Sequence, residues 1–130
     1  MERFSDTFLK DKNIGVVPLT PGLYEYGEFV RCDFSGDANF SGCKMKKIKF
    51  VRCKMNQCDF SRADLSESQF EVCDLGDATF LQSNLESADL TTSFNFIIDP
   101  TQNRVRKLKI AAANLPGLVN CFGLEIVGGG

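Results

Sequence analysis

The side chains best suited to chemistry in this chain are its six cysteines, Cys32, Cys43, Cys53, Cys58, Cys73 and Cys121. In a chain of 130 residues such a set could form a disulfide framework or ligate zinc. Their slots argue against both. Five of them occupy one repeating position that they share with Ala and Ser, so they read as small buried side chains. Stacked one strand spacing apart, they would need backbone distortion to form an S–S bond of about 2.05 Å, and they do not converge tetrahedrally on a metal. Cys32, Cys53 and Cys73 are expected in one column as free thiols; Cys121 stands outside the pattern. Acid–base chemistry has little support, because there is no His and Asp and Glu fall at outward positions. The sequence also lacks a nucleophile elbow, a glycine-rich phosphate loop and metal-ligand spacing. No cofactor and no catalytic residue is expected.

What positions these residues is a five-residue period running without a break from Ala38 to Leu90. Each quintet is centred on a large apolar side chain: Phe40, Met45, Phe50, Met55, Phe60, Leu65, Phe70, Leu75, Phe80, Leu85 and Leu90. Two residues before each centre sits a small one, Ile48 excepted, and a polar residue separates the two. Centres five apart diverge by roughly 140° on a helix and alternate faces on a flat strand. Only a backbone that bends once per quintet keeps every centre inward, and the stacked coils then bury a continuous core.

Ala63-Asp64-Leu65, Cys73-Asp74-Leu75 and Ala88-Asp89-Leu90 carry a resemblance to the pentapeptide-repeat family, whose pattern is roughly Ala-(Asp/Asn)-(Leu/Phe)-X-X. Weaker copies lie at Cys32-Asp33-Phe34, Gly27-Glu28-Phe29 and Gly22-Leu23-Tyr24. The resemblance implies an all-β solenoid, a right-handed quadrilateral parallel β-helix of about three and a half coils, with a short C-terminal helix and end caps. Four quintets make a coil, so residues 20 apart stack. Phe34 and Phe40 are six apart, which places an extra residue near Asp37.

The expected organisation is an N-terminal cap over 1–21, the β-helix over 22–95, a C-terminal cap with a short helix over 96–127 and an unstructured tail over 128–130. Phe4, Phe8 and Leu9 suit one side of a short helix. After Leu90 the pattern dissolves. Asn114 can cap a helix carrying Leu118, Val119 and Phe122, with Pro116 in its first turn, Gly123 ending it and Leu124 to Val127 following as a strand. No apolar run is long enough to span a bilayer, no signal-peptide layout opens the chain, and a cytoplasmic location is expected.

Charge is unevenly placed. From Arg31 to Lys54 seven basic residues stand against two acids, whereas from Asp59 to Asp89 eight acids stand against Arg62, so the rod reads as two-ended. Lys44 over Asp64, Lys47 over Glu67 and Lys54 over Asp74 would pair opposite charges on neighbouring coils. Family members similar to this chain, the quinolone-resistance and microcin-immunity proteins, act on DNA gyrase and are described as mimics of duplex DNA. The resemblance implies a non-catalytic binder that presents Asp59, Asp64, Glu67, Glu71, Asp74, Asp77, Glu86 and Asp89 to a type II topoisomerase. The alternative is an interaction scaffold with another protein partner. Leu118, Val119 and Phe122 are the candidate contact of a homodimer through the C-terminal end. Neither direct nucleic-acid binding nor a membrane is expected.

Overall fold

In the computed structural model the described residues are 3–5, 8–10, 23–25, 28–34, 38–119, 122–124 and 127, the first three segments by backbone only. Short parallel strands stack in one register: β1 (Arg3–Ser5) on β3 (Leu23–Glu25), and β2 (Phe8–Lys10), β4 (Glu28–Val30), β5 (Lys49–Val51) and β6 (Gln69–Glu71) in one sheet. Single bridges carry the other sides of the coil, among them Lys44 on Asp64, Lys54 on Asp74 and Asp59 on Thr79. The result is a right-handed, four-sided β-helix. Its faces are centred on Phe29, Phe50, Phe70 and Leu90 (first), Phe34, Met55 and Leu75 (second), Phe40, Phe60 and Phe80 (third), and Met45, Leu65 and Leu85 (fourth).

All of these centres are buried. Phe and Met or Leu alternate along the sequence, so the aromatic columns stand on opposite faces. Phe29, Phe50 and Phe70 stack with ring centroids 5.2 and 4.9 Å apart, and Phe40, Phe60 and Phe80 at 5.2 Å per step, close to the strand spacing of ~4.8 Å. The columns meet edge to face across the interior, Phe60 on Phe70 at 6.0 Å, an arrangement that the ring quadrupole favours.

From Met45 to Leu85 each corner places a left-handed residue two positions after its centre, and none of these is glycine: Lys47, Arg52, Gln57, Arg62, Glu67, Val72, Asp77, Gln82 and Ser87 have φ between 52° and 65°. The cost of such conformations is offset by the stack around them. Pairing shifts from 21 residues (Asp33 on Lys54) to 20 (Asn39 on Asp59), which puts the extra residue between Asp33 and Asn39. Asp37 itself lies outside the described residues.

Pairing extends in both directions beyond the unbroken run of the five-residue pattern, and Phe4 with Leu9 and Val105 with Ile110 keep its step there. At the N-terminal end the helix expected for Phe4, Phe8 and Leu9 is replaced by β1 and β2, in register with β3 and β4. Backbone pairing to an existing coil prevails there over a weak apolar spacing. At the other end, Arg104 pairs with Asn84 and Lys109 with Asp89, so the coil continues beyond Leu90. Its last aromatic moves by one residue. Asn95 occupies a centre slot with φ 66° and turns out to solvent, while Phe96 is buried.

A 3₁₀ turn, Ala112–Asn114, and α1 (Pro116–Val119) follow. The Ile98 N–H donates to the Gly117 carbonyl at 2.9 Å, and Leu118 packs on the core. Asn114 lies within the 3₁₀ turn and does not cap α1, which ends before Phe122. Gly123 adopts φ 65°. The strand expected from Leu124 to Val127 lies partly outside the described residues, as do Cys121 and the tail.

Candidate partner-binding surface

The polar residue before each centre has a local task. Where it is Asp or Asn, its Oδ1 accepts the backbone N–H two residues on: Asn39 from Ser41, Asp59 from Ser61, Asp64 from Ser66, Asp74 from Gly76, Asn84 from Glu86, Asp89 from Thr91 and Asp99 from Thr101, all at 2.8–3.1 Å. These Asx turns fasten the carboxylates to the corners. The Thr91 N–H and hydroxyl hold Asp89 below the ordinary carboxylate range against a smaller effect of burial, and Lys109 adds to them. At Asp74 burial pushes upward, but hydrogen bonds from Asn95, Gly76 and Asn56 together prevail and lower it.

The small inward slot also does more than fill space. At several corners the slot residue one coil on donates to the centre's carbonyl. Cys53 Sγ reaches the Phe29 carbonyl at 3.3 Å, Cys73 that of Phe50 at 3.5 Å, and Ser93 Oγ that of Phe70 at 2.6 Å. Cys58 and Ser83 do the same for Phe34 and Phe60. The five described cysteines are buried free thiols, with Cys32, Cys53 and Cys73 in the expected column. The hydrogen bond with Cys73 and burial both push the Cys53 thiol up, and burial pushes Cys58 up to about 12, so both stay protonated and unreactive. Recurrence of Cys and Ser, both donors, in that slot was the available signal.

The eight candidate acids do not gather on one face. Glu71 and Asp89 lie on the first, Asp74 and Asp77 on the second, Asp59 on the third, and Asp64, Glu67 and Glu86 on the fourth. Glu67 receives Lys46 and Lys47 at 3.9 Å each, Glu71 receives Lys49 at 3.3 Å and Glu86 receives Arg104 at 3.1 Å. Of the three pairs read from the sequence, only Lys47 with Glu67 closes. Lys44 and Lys54 sit on the expected neighbouring coils, but Asp64 and Asp74 are short side chains turned back onto their own corners. The two-ended charge distribution is also revised. Arg104, Arg106, Lys107 and Lys109 occupy the coil above the acidic ones, which puts a basic band on either side of them.

Two shallow surface grooves run between coils. One, about 360 Å³, is lined by Glu71, Val72, Asp89, Thr91 and Thr92 with Gln69 and Phe70; the other, about 290 Å³, by Lys46, Asp64, Glu67 and Glu86 among others. The hydroxyl that meets a carboxylate in each, Thr91 on Asp89 and Ser66 on Asp64 at 2.7 Å, belongs to the Asx turn of its own corner, and among the described residues no three metal-ligating side chains converge. No helix among the described residues is long and apolar enough to cross a membrane. Of the candidate dimer residues, Leu118 is spent on the protein's own core, Val119 is half-buried and Phe122 is 53% exposed.

Residues 26–94 match the model of a pentapeptide repeat region. Among solved structures, the chain is similar to a pentapeptide repeat protein, Rfr23, from the cyanobacterium Cyanothece 51142, at 14% identity and a TM-score of 0.66, covering 83% of each chain. A trypsin-treated R167E form of QnrB1, a plasmid-mediated fluoroquinolone resistance protein, matches at 16% identity, a TM-score of 0.46, and 95% of this chain against 82% of that one. No curated protein is a sequence match. At 14% identity the likeness to Rfr23 is one of fold.

Proposed function

The chain belongs to the pentapeptide-repeat family, and from that premise we propose that it acts by non-covalent binding, presenting the carboxylates of its middle coils to a basic surface on a protein partner. The observation that supports this most is the set of Asx turns. Asp59, Asp64, Asp74 and Asp89 are fixed to the corners before any partner arrives, so docking costs little side-chain entropy. Asp77 adds an exposed carboxylate beside Asp74. A type II topoisomerase, DNA gyrase, is the partner to test first, because the repeats resemble those of quinolone-resistance proteins.

A scaffold with a partner of mixed charge is the second reading. It is favoured by the ion pairs that engage Glu67, Glu71 and Glu86. The experiment is a supercoiling assay with purified gyrase and a quinolone, alongside direct binding at increasing salt. Asp59, Asp74, Asp77 and Asp89 are changed together to Asn, which keeps the Oδ1 acceptor of the turns while removing the charge. The acidic reading expects binding that weakens steeply with salt and is lost in the variant. Binding insensitive to both hands the function to the scaffold reading, and gyrase left unbound at low salt removes it as the partner.

A further inference from the structure

The end of the rod formed by the last coil and its cap differs from the body. Residues 100–124 contain no Asp or Glu, while Arg104, Arg106, Lys107 and Lys109 stand among them. All four are exposed. Arg104 is tied to Glu86 on the coil below, and Lys109 stacks on Asp89. Arg106 and Lys107 have no ion pair among the described residues. The segment that follows this coil in the chain leaves large apolar side chains in water: Leu115 is 46% exposed, Phe122 53% and Leu124 61%. Val72, Leu81, Phe94 and Ile97 are exposed as well, but the segment from Leu115 to Leu124 combines three such residues with the absence of any acid.

We infer that this end docks an acidic protein segment that also carries apolar side chains, its carboxylates meeting Arg106 and Lys107 and its apolar residues covering Leu115, Phe122 and Leu124. Charge decides against the obvious rival. A second copy joined end to end would bring Arg106 and Lys107 of both copies, two cations each with no ion pair among the described residues, within a Debye length of about 8 Å, where like charges repel. Nucleic acid would answer the cations but leave the apolar side chains uncovered. Cations on a terminal coil also discourage strand addition, a role that does not account for the exposed cap residues. This surface is separate from the acidic coils, and its test uses no topoisomerase.

Fluorescence anisotropy on the full chain compares two labelled peptides of equal length, oligo-glutamate and a Glu peptide with Leu at every fourth position. The Leu-bearing peptide should bind about tenfold more tightly. Arg106→Glu with Lys107→Glu should abolish binding of both. Leu115→Ser with Phe122→Ser should bring the Leu-bearing peptide down to the affinity of oligo-glutamate, and unchanged circular dichroism should confirm that both variants are folded. Equal affinity of the two peptides for the unmodified protein would overturn the inference. So would sedimentation showing a dimer lost in Phe122→Ser, or stronger retention on phosphatidylserine vesicles than on either peptide.

Discussion

Phe70 touches both aromatic columns, stacked under Phe50 and edge-on to Phe60, and is 1% exposed. Replacing it with Ala removes a ring that neighbouring coils cannot collapse to fill. The expected loss is ~3–5 kcal/mol in urea denaturation, and a loss below about 1 kcal/mol would contradict the inward assignment. Ser93 tests the donor slot. Its hydroxyl donates to the Phe70 carbonyl and accepts the Cys73 N–H at 3.1 Å. Ser93→Ala orphans both groups inside the core and should cost about 1–3 kcal/mol, although it removes almost no volume. If packing alone governed this slot, Ala would be the better residue, and the variant would match or exceed the parent.

Among the elements, the cap depends on one close approach. A Cβ added at Gly117 would stand 2.3 Å from the Phe96 carbonyl oxygen, so α1 can cross the last coil only without a side chain there. Gly117→Ala should lift the cap, cost about 1–3 kcal/mol and speed amide exchange at Leu108 and Lys109 while Phe50 and Phe70 stay protected. Uniform loss of protection would mean that the rod unfolds as one unit. The corners test differently: Val72 is β-branched, 45% exposed and held at φ 52°. Val72→Asn should stabilise by about 1 kcal/mol, since Asn enters the left-handed region more readily, and the Val72 N–H bond to Thr92 Oγ1 does not involve the side chain.

For the whole molecule, acid sensitivity should follow the turns. Asp74 and Asp89 have lowered values in the folded state, so their stabilising contribution is present above the unfolded carboxylate value and is lost as pH falls through the folded one. The melting temperature should therefore decline below about pH 4. Asp74→Asn with Asp89→Asn keeps the turn acceptors and should flatten that decline; an unaltered acid profile would place the sensitivity elsewhere. The exposed ion pairs contribute only ~0.2–1 kcal/mol each, so raised salt should move stability far less than it moves partner binding.

The five-residue period alone determined the coil, because no helix or flat strand keeps Phe40 through Leu90 on one side, and the single extra residue before Ala38 was legible as a six-residue step. The alternation of Phe with Met or Leu from Phe40 to Leu85 also stands in the sequence, but the two aromatic columns it builds emerged only with the coils stacked. The ends were not legible. At β1, β2 and Arg104 to Lys109 only isolated centres keep the five-residue step, Phe4 with Leu9 and Val105 with Ile110, too few to read without the neighbouring coil whose backbone they pair with. Charge followed the same division. Sequence placed acids and bases 20 apart, but only the tertiary structure decided that Asp64 and Asp74 bind their own corners while Glu67, one methylene longer, reaches across to lysine. Side-chain reach measured against coil spacing separates a turn residue from an ion pair, and that distance exists only once the coils are stacked.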